Sequence, residues 1–162
     1  MLKIVTLPAS SLRKRSTEID RSFLLNKETQ KLIKEMIPTM YGADGIGLAA
    51  VQVGQNIRIC TIGKAAIPEK HQLKQEDLVL VNPIWKKTSV RKVEDIEGCL
   101  SVPKISGKVK RYKNIQVDAW DQNNIPLSFK ASDMLARVIQ HEVDHMDGIL
   151  FIDKARDLIT TD

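Results

Sequence analysis

The stretch DMLARVIQHEVDHMDG, residues 133–148, is the clearest helix signal in the chain. Ser132 or Asp133 can serve as its N-cap, and Gly148 stands where such a helix ends. At about 100° per residue, one narrow arc of this helix carries Met134, Val138, His141 and His145, with Glu142 beside it. The other side, predicted to be a polar face, carries Asp133, Arg137, Gln140 and Asp144. Both histidines and the glutamate are therefore predicted to point inward, where unpaired polar groups are costly.

This inward arc contains the pattern H-E-x-x-H. His141 and His145 are one helical turn apart and can both reach one metal ion. Glu142 would then lie beside the ion, where it could handle the protons of a water molecule. The pattern is typical of metal hydrolases. It also arises by chance, in a helix with two core histidines that are satisfied by hydrogen bonds.

The third ligand decides the class of metal site. A metzincin would place a third histidine where this chain has Phe151, although Gly148 stands at the expected position. A thermolysin-like site would need a downstream glutamate, and none follows Glu142. Asp147, Asp153 and Asp157 are candidate downstream carboxylate ligands, but Asp147 falls on the predicted polar side. Both common peptidase interpretations are weakened.

An upstream candidate lies in EGCLSVP, residues 97–103. Cys99 could supply a thiolate, a strong ligand for zinc or ferrous iron, and Gly98 leaves room for close backbone approach. One cysteine and two histidines leave a fourth position for water. Alone, Cys99 would be interpreted as a buried, inert thiol, but together with the helix motif it is interpreted as a metal ligand. The second cysteine, Cys60, lies in a predicted strand and is interpreted as a small buried hydrophobe.

A third motif, GIGLAAVQ, spans residues 45–52. It lacks the lysine of a phosphate-binding loop and the third glycine of a dinucleotide fingerprint. The amide of Gln52 could stabilise an oxyanion. Taken alone, however, Gln52 would be interpreted as a surface or turn residue.

The composition predicts one soluble α+β domain over residues 1–162, with 43% hydrophobic and 28% charged residues. A helix is predicted over 27–41, with Pro38 expected to kink it or end it early. Pro126 indicates that the last strand is an edge strand. A surface loop is predicted over 65–77 and a hairpin turn over 121–124. Strands are predicted over 57–62, 78–81, 90–93, 115–120 and 125–129. The expected architecture is antiparallel sheets packed around a central metal-binding helix, with an N-terminal helix.

The net charge of +5 is spread along the chain in short basic clusters such as residues 13–15 and 108–111. This distribution predicts a solvated basic surface, and no direct nucleic-acid function is expected. The sequence has no run of about 18 apolar residues and no signal peptide, so neither a membrane span nor secretion is expected. We expect a cytoplasmic protein, or the mature form of an imported one.

Together the three motifs GIGLAAVQ, EGCLSVP and QHEVDHMDG resemble, in order and spacing, those of the peptide deformylase family. The N-terminal pattern Ile4…Pro8…Leu12-Arg13 extends the resemblance over nearly the whole chain. It implies a monomeric hydrolase that removes the formyl group from N-formylmethionine at the start of nascent polypeptides. The implied cofactor is one divalent metal ion, commonly Fe²⁺, with Zn²⁺, Ni²⁺ or Co²⁺ able to substitute. Its ligands would be Cys99, His141 and His145.

The resemblance also implies roles for further residues. Glu142 would be the general acid/base, and the Gln52 amide and Leu100 backbone N–H would stabilise the oxyanion. The substrate main chain would pair with the segments around Ile46-Gly47 and Gly98, and its methionine would enter a pocket lined partly by Ile46, Val138 and His141. Bacterial, organelle and phage sources all fit the resemblance.

Two departures from the family pattern limit what the resemblance implies. Residues 154–162 are too few for the long basic helix that bacterial members often use on the ribosome, so the ribosome stays a candidate partner but docking through this tail is not expected. Ser106 stands where many members carry an arginine, which leaves the preference beyond methionine open. The rival interpretations are a metallopeptidase with another third ligand and a metal-stabilised binding module without turnover.

Overall fold

The computed structural model describes residues 1–161 and confirms the predicted α+β class. Its α-helices are α1 (Arg21–Leu24), α2 (Lys27–Gly42) and α3 (Asp133–Met146). The strands are β1 (Gly47–Ala49), β2 (Ile59–Ile62), β3 (Leu78–Lys87), β4 (Lys92–Cys99), β5 (Val102–Tyr112), β6 (Asn114–Trp120), β7 (Pro126–Ser132) and β8 (Arg156–Thr160). Short 3-10 turns cover Ser10–Arg13, Ala50–Val53, Lys64–Ala66 and Phe151–Asp153.

The strands form two antiparallel sheets. One has five strands in the order β1-β2-β3-β6-β7, and the other has three in the order β4-β5-β8. Helix α3 contacts strands of both sheets and buries Leu135, Ile139 and Met146 among them. At about 25 cal/mol per Å² of apolar surface, burial of such side chains stabilises the fold by about 1.5–3 kcal/mol each. The helix that carries the H-E-x-x-H pattern is thus held firmly at the centre of the molecule.

Helix α2 continues through Pro38 to Gly42, so Pro38 does not end it early. Proline removes one backbone donor, but packing of the helix offsets that loss. Ile33, Met36 and Met40 are buried in a second core cluster with strands β1 to β3. The Asn26 side chain caps the helix by accepting from the Thr29 N–H at 2.7 Å. Within residues 1–161, no helix combines the length and apolar character needed to cross a bilayer.

The strand predictions held best where apolar residues alternate. β6 begins one residue before its predicted start, and β7 begins one residue later and ends three residues later than predicted. The predicted turn between them closes through a hydrogen bond from the Asn124 N–H to the Asp121 carbonyl. β7 pairs only with β6, which confirms the edge position predicted from Pro126. The prediction over 90–93 was wrong in extent because β4 runs from Lys92 to Cys99. β1, β5 and β8 were not predicted.

The polar face predicted for α3 is not a solvent-facing surface. Arg137, Gln140 and Asp144 are buried, whereas Met134 of the predicted inward arc is 46% exposed. The Gln140 amide, for example, bonds both backbone groups of Tyr112, at 3.0 and 2.9 Å. The prediction was wrong because strand β5 covers this side of the helix and supplies polar partners. Ser132 occupies the N-cap position but makes no capping bond; its hydroxyl instead donates to Asn114 at 2.8 Å.

Candidate active site

Helix α3 and the end of strand β4 bring three candidate ligand groups together. Donor atoms of Cys99, His141 and His145 all lie within 4.8 Å of one another. The Cys99 Sγ atom is 3.2 Å from His145 Nε2. The two histidine rings are 5.0 Å apart, as expected for side chains one turn apart on the same face. The grouping predicted from three separate motifs is therefore present in the fold.

The His141 ring is oriented by Glu97 of strand β4. Its Nδ1 donates to Glu97 Oε1 at 2.8 Å, which leaves Nε2 as the nitrogen that faces the cluster. The Arg111 guanidinium donates to both oxygens of Glu97, at 2.7 and 2.8 Å. Burial opposes ionisation of Glu97, but its bonds to Arg111 and His141 hold its pKa well below the usual range. A carboxylate that orients a ligand histidine in this way is a common feature of metal sites.

The network continues past Glu97 to the buried side of α3. Arg137 donates to Glu97 Oε2 at 2.6 Å, and Arg111 donates to Asp144 Oδ2 at 2.8 Å. Asp144 also accepts from Lys154 at 3.0 Å. Asp144 therefore points to cations and away from the cluster, as predicted. Sequence reasoning gave no role to Arg111, which was counted with the solvated basic residues but is 4% exposed.

Glu142 lies beside the cluster and is 3% exposed. No described residue of the chain offers a hydrogen bond to its Oε2 atom. Burial raises the pKa of Glu142 to about 7, although the charges of His141 and Arg111 act against this rise. A pKa near neutrality is the range in which a general acid/base is most effective.

The two candidate ligand histidines differ in their proton affinity. Burial lowers the pKa of His145 well below its ordinary value, so this ring is neutral and can offer a lone pair. Burial acts in the same direction on His141, but its contacts with Cys99 and Glu97 outweigh it and raise the pKa to about 10. A proton would therefore compete with any metal ion for His141.

Gln52 lies in the 3-10 turn Ala50–Val53 but is only 1% exposed, so its interpretation as a surface residue is wrong. Its Oε1 accepts from the Ala49 N–H at 2.9 Å. This bond fixes the amide with Nε2 directed at Ser101 Oγ, 3.2 Å away, and at Cys99 Sγ, 3.7 Å away. The amide donor thus lies at the edge of the cluster.

A cavity of about 580 Å³ opens onto this group of residues. Cys99, His141, Glu142 and Gln52 all line this cavity. The residues predicted to bind substrate and oxyanion, Ile46, Gly47, Gly98, Leu100 and Val138, all line the same cavity. Ile46 is 46% exposed at its surface. Every site residue named from the sequence except the deeply buried His145 therefore borders this cavity.

The donor set fits a divalent transition metal. It combines one sulfur with two imidazole nitrogens, the ligand types that zinc and ferrous iron favour. In a tetrahedral zinc site, bond lengths of about 2.3 Å to sulfur and 2.0–2.1 Å to nitrogen would separate these atoms by about 3.6 Å. The Sγ to Nε2 distance of 3.2 Å is close to that separation. The His145 Nδ1 atom has no hydrogen-bond partner among the described residues, so this ring is held by packing and by the cluster.

Comparison with known proteins decides the family. The family model described as polypeptide deformylase matches residues 1–160. The chain belongs to the peptide deformylase family. Peptide deformylase 2 of Gloeobacter violaceus is 42% identical over 158 residues, which is 98% of this chain and 81% of the relative. Peptide deformylase of Desulfotalea psychrophila is 40% identical over 94% of this chain and 86% of its own length.

Solved peptide deformylase structures share the fold. The enzyme of Thermotoga maritima superposes with a TM-score of 0.85 at 31% identity, over 96% of this chain and 98% of that chain. The enzyme of Synechococcus elongatus in complex with actinonin gives 0.83 at 36% identity, over 96% of this chain and 79% of that chain. The chain is therefore a peptide deformylase, an enzyme of a metal-dependent hydrolase family with a Cys-His-His cluster.

Proposed function

We propose that the chain removes the formyl group from N-formylmethionine at the start of nascent polypeptides, with Cys99, His141 and His145 binding one divalent metal ion. The observation that carries this proposal is the cluster of three donors within 4.8 Å of one another, two of which line a cavity together with the buried Glu142. Family membership supports the same reaction over residues 1–160. Neither rival, a metallopeptidase or a binding module without turnover, is favoured by these findings.

The metal ion proposed in vivo is Fe²⁺, with Zn²⁺, Ni²⁺ or Co²⁺ as substitutes. The support is the mixed donor set of one thiolate and two imidazoles, which suits soft and borderline divalent ions. When bound, such an ion lowers the pKa of a water molecule and polarises a carbonyl group. Glu97 supports this site by fixing the His141 ring through its 2.8 Å bond to Nδ1.

Glu142 is proposed to move the proton. Hydrolysis consumes one water molecule, which adds its oxygen to the formyl carbon as the C–N bond breaks. Glu142 accepts the proton that this water loses and passes it to the nitrogen of the leaving amine, so formate and a free N-terminus result. The support is its position at the cluster and its freedom from competing partners among the described residues.

Gln52 and Leu100 are proposed to stabilise the negative charge that develops on the formyl oxygen. The Gln52 amide is held in one orientation by the Ala49 N–H, with its NH₂ group toward Cys99. The Leu100 backbone N–H follows directly on the cysteine, and Leu100 lines the cavity. Such preoriented donors are among the largest contributions to catalysis.

The substrate main chain is proposed to lie between two sheet edges. β1 pairs only with β2, and β4 pairs only with β5, so each strand has a free edge beside the cavity. An extended peptide can add to such an edge through backbone hydrogen bonds. Gly47 and Gly98 would supply those contacts. Ile46, Val138 and His141 would surround the methionine side chain.

The proposed substrate leads to proposals on the partners, the oligomeric state and the location of the enzyme. The partners are nascent chains that begin with N-formylmethionine, and the enzyme acts as a monomer where such chains are made, which in a bacterial cell is the cytoplasm. We also propose one catalytic domain over residues 1–162, of which Asp162 lies outside the described residues.

The experiment that tests the reaction uses formyl-Met-Ala-Ser under anaerobic conditions with iron-loaded protein. Formate is measured enzymatically, and the peptide products are measured by mass spectrometry. The proposal predicts formate and intact Met-Ala-Ser. Cleavage of an internal peptide bond would instead support the metallopeptidase, and full metal occupancy without any turnover would support the binding module.

A further inference from the structure

Arg137 is a buried arginine on helix α3 to which the proposed reaction gives no role. Its side chain belongs to a residue that is 8% exposed, although a polar face was predicted at this position. Removal of an arginine from water is costly unless its donors are satisfied, so its partners indicate what it does. It lies four residues before His141, which is about one turn earlier on the same helix.

The guanidinium of Arg137 donates three hydrogen bonds to two strands. Its Nη1 donates to Glu97 Oε2 at 2.6 Å and to the Val109 carbonyl at 3.0 Å. Its Nη2 donates to the Val93 carbonyl at 2.7 Å. Val93 and Glu97 belong to β4, whereas Val109 belongs to β5. Because a guanidinium is planar and rigid, these bonds fix the position of α3 relative to β4.

The three candidate metal ligands come from the same two elements. Cys99 ends β4, two residues after Glu97, and both histidines lie on α3. Within residues 1–161, the α3 side chains that form hydrogen bonds to β4 are Arg137 and the two histidines themselves. Gln140 and Asp144 bond to residues of β5 instead. Among these connections between α3 and β4, Arg137 is therefore the one that is not itself a candidate ligand.

Arg111 does not replace Arg137 in this position. It donates to both oxygens of Glu97, at 2.7 and 2.8 Å, but it belongs to β5 and so fixes Glu97 relative to that strand. From α3, His141 Nδ1 donates to Oε1 of Glu97 at 2.8 Å, and Arg137 Nη1 donates to Oε2 at 2.6 Å. Two donors from one helix therefore hold the two oxygens of this carboxylate against α3.

We propose that Arg137 is a positioning residue for the metal site: by joining α3 to β4, it sets the separation of Cys99 from the two histidines before an ion binds. This inference rests on the proposed binding of a metal ion by these three residues. A site whose donors are already in place loses less conformational freedom when an ion binds, so the affinity for the ion is higher. Loss of such an outer partner weakens metal binding by about 10–100-fold.

The test is the dissociation constant for Zn²⁺, measured by competition with a chromogenic chelator. Arg137→Met removes all three hydrogen bonds and should weaken Zn²⁺ binding by about 10–100-fold. Arg58→Met is the matched control, because Arg58 is also buried and donates to the Met146 carbonyl and to Asp147 at the C-terminal end of α3. This control should also lose stability, but its dissociation constant should change by less than about threefold.

Two further measurements separate positioning from a general loss of stability. Co²⁺ bound to a thiolate gives a charge-transfer absorption band, whose intensity reports the bond to Cys99. At equal Co²⁺ occupancy, this band should be weaker in Arg137→Met than in the original chain and unchanged in Arg58→Met. Arg137→Lys keeps the charge but not the rigid set of donors, so its Zn²⁺ dissociation constant should lie between those of the original chain and Arg137→Met.

Equal changes in the Zn²⁺ dissociation constant for Arg137→Met and Arg58→Met would overturn the proposal, because loss of stability alone would then explain both. A value for Arg137→Met within about threefold of the original chain would also overturn it. If circular dichroism shows that Arg137→Met is unfolded, Arg137→Lys and Arg58→Lys provide the same comparison, and equal affinities would overturn the proposal.

These outcomes do not depend on deformylation, because the affinity for the ion is measured without substrate. Absence of Zn²⁺ binding by the original chain would reject the proposed metal site and this inference with it. Binding by the original chain that the Arg137 variants leave unchanged would reject this inference alone.

Discussion

Gly47 on strand β1 leaves the space that the carboxylate of Glu142 occupies. A Cβ atom on Gly47 would overlap Glu142 Oε1 and would lie 2.9 Å from Val138 Cγ1. Both neighbours belong to helix α3, which is packed between the two sheets and cannot easily shift. The absence of a side chain at residue 47 is therefore what allows Glu142 to lie beside the metal-binding cluster.

Gly47→Ala is expected to lower kcat/KM for formate release by about ten- to a hundredfold, because it would displace Glu142, the proposed general acid/base, a role worth about 10²–10⁴ in rate. Metal content should stay unchanged. The control is Gly98→Ala in the same cavity, whose Cβ would meet only the Ile105 carbonyl at 3.7 Å, an ordinary contact. A comparable loss in both variants would show that crowding of the substrate, not displacement of Glu142, is responsible.

Cys99→Ser should weaken retention of the metal, since a hydroxyl is a much poorer ligand than a thiolate for iron or zinc. The measurement is metal per chain after dialysis, by plasma mass spectrometry. Cys60→Ser is the matched control: Cys60 is fully buried in the core, so its replacement should lower stability but not metal content. Unchanged metal content in the Cys99 variant would remove that residue from the ligand set.

Arg111→Met should reduce the free energy of unfolding by about 3–5 kcal/mol, the usual cost of removing one partner of a buried ion pair. The substitution leaves Glu97 and Asp144 buried without their shared cation. Urea denaturation of the metal-loaded protein measures the loss. Arg156→Met breaks an exposed pair with Glu94 and should cost far less. Equal losses in the two variants would mean that the buried network does not stabilise the fold.

Removal of the metal should lower the melting temperature, because an ion that binds only the folded chain stabilises it. At a free ion concentration of about 100 Kd, binding adds about 2.7 kcal/mol to the free energy of unfolding. For a chain of this size, that corresponds to a decrease of about 5–11 °C in the melting temperature when the metal is removed. The measurement is thermal unfolding by circular dichroism before and after chelation, and again after Zn²⁺ is restored. An unchanged melting temperature after verified metal removal would contradict the claim that the ion binds only the folded chain and stabilises it.

Helix α3 could be predicted because its signals are local: apolar residues at helical spacing and the stop at Gly148. Strand β5 could not, because only one of its faces is buried and that face includes Gly107 and Arg111 rather than a run of apolar side chains. The inward position of Arg111 follows from Val109, two residues before it on the same face of the strand. Without β5, the buried polar side of α3 also looked solvent-exposed.

In the candidate site, too, features within one helix could be predicted from the sequence, whereas contacts between residues far apart in the chain could not. The spacing of His141 and His145 is readable within one helix. The approach of Cys99 to His145 joins residues 46 positions apart, and Gln52 meets Ser101 across 49. Such contacts depend on how sheets and helix pack, which no local pattern specifies. Ligand chemistry alone made Cys99 a candidate for the third ligand, and the resemblance of three ordered motifs to a known family then indicated that Gln52 belongs with it.

The most direct test of the central claim is the rate of formate release by Glu142→Gln at verified full metal occupancy. Glutamine keeps the size of the side chain but cannot accept and return a proton, so kcat should fall by about 10²–10⁴ while the metal is retained. That result would place the proton transfer on Glu142. A variant that binds metal and keeps a rate within about threefold of the original chain would contradict the account.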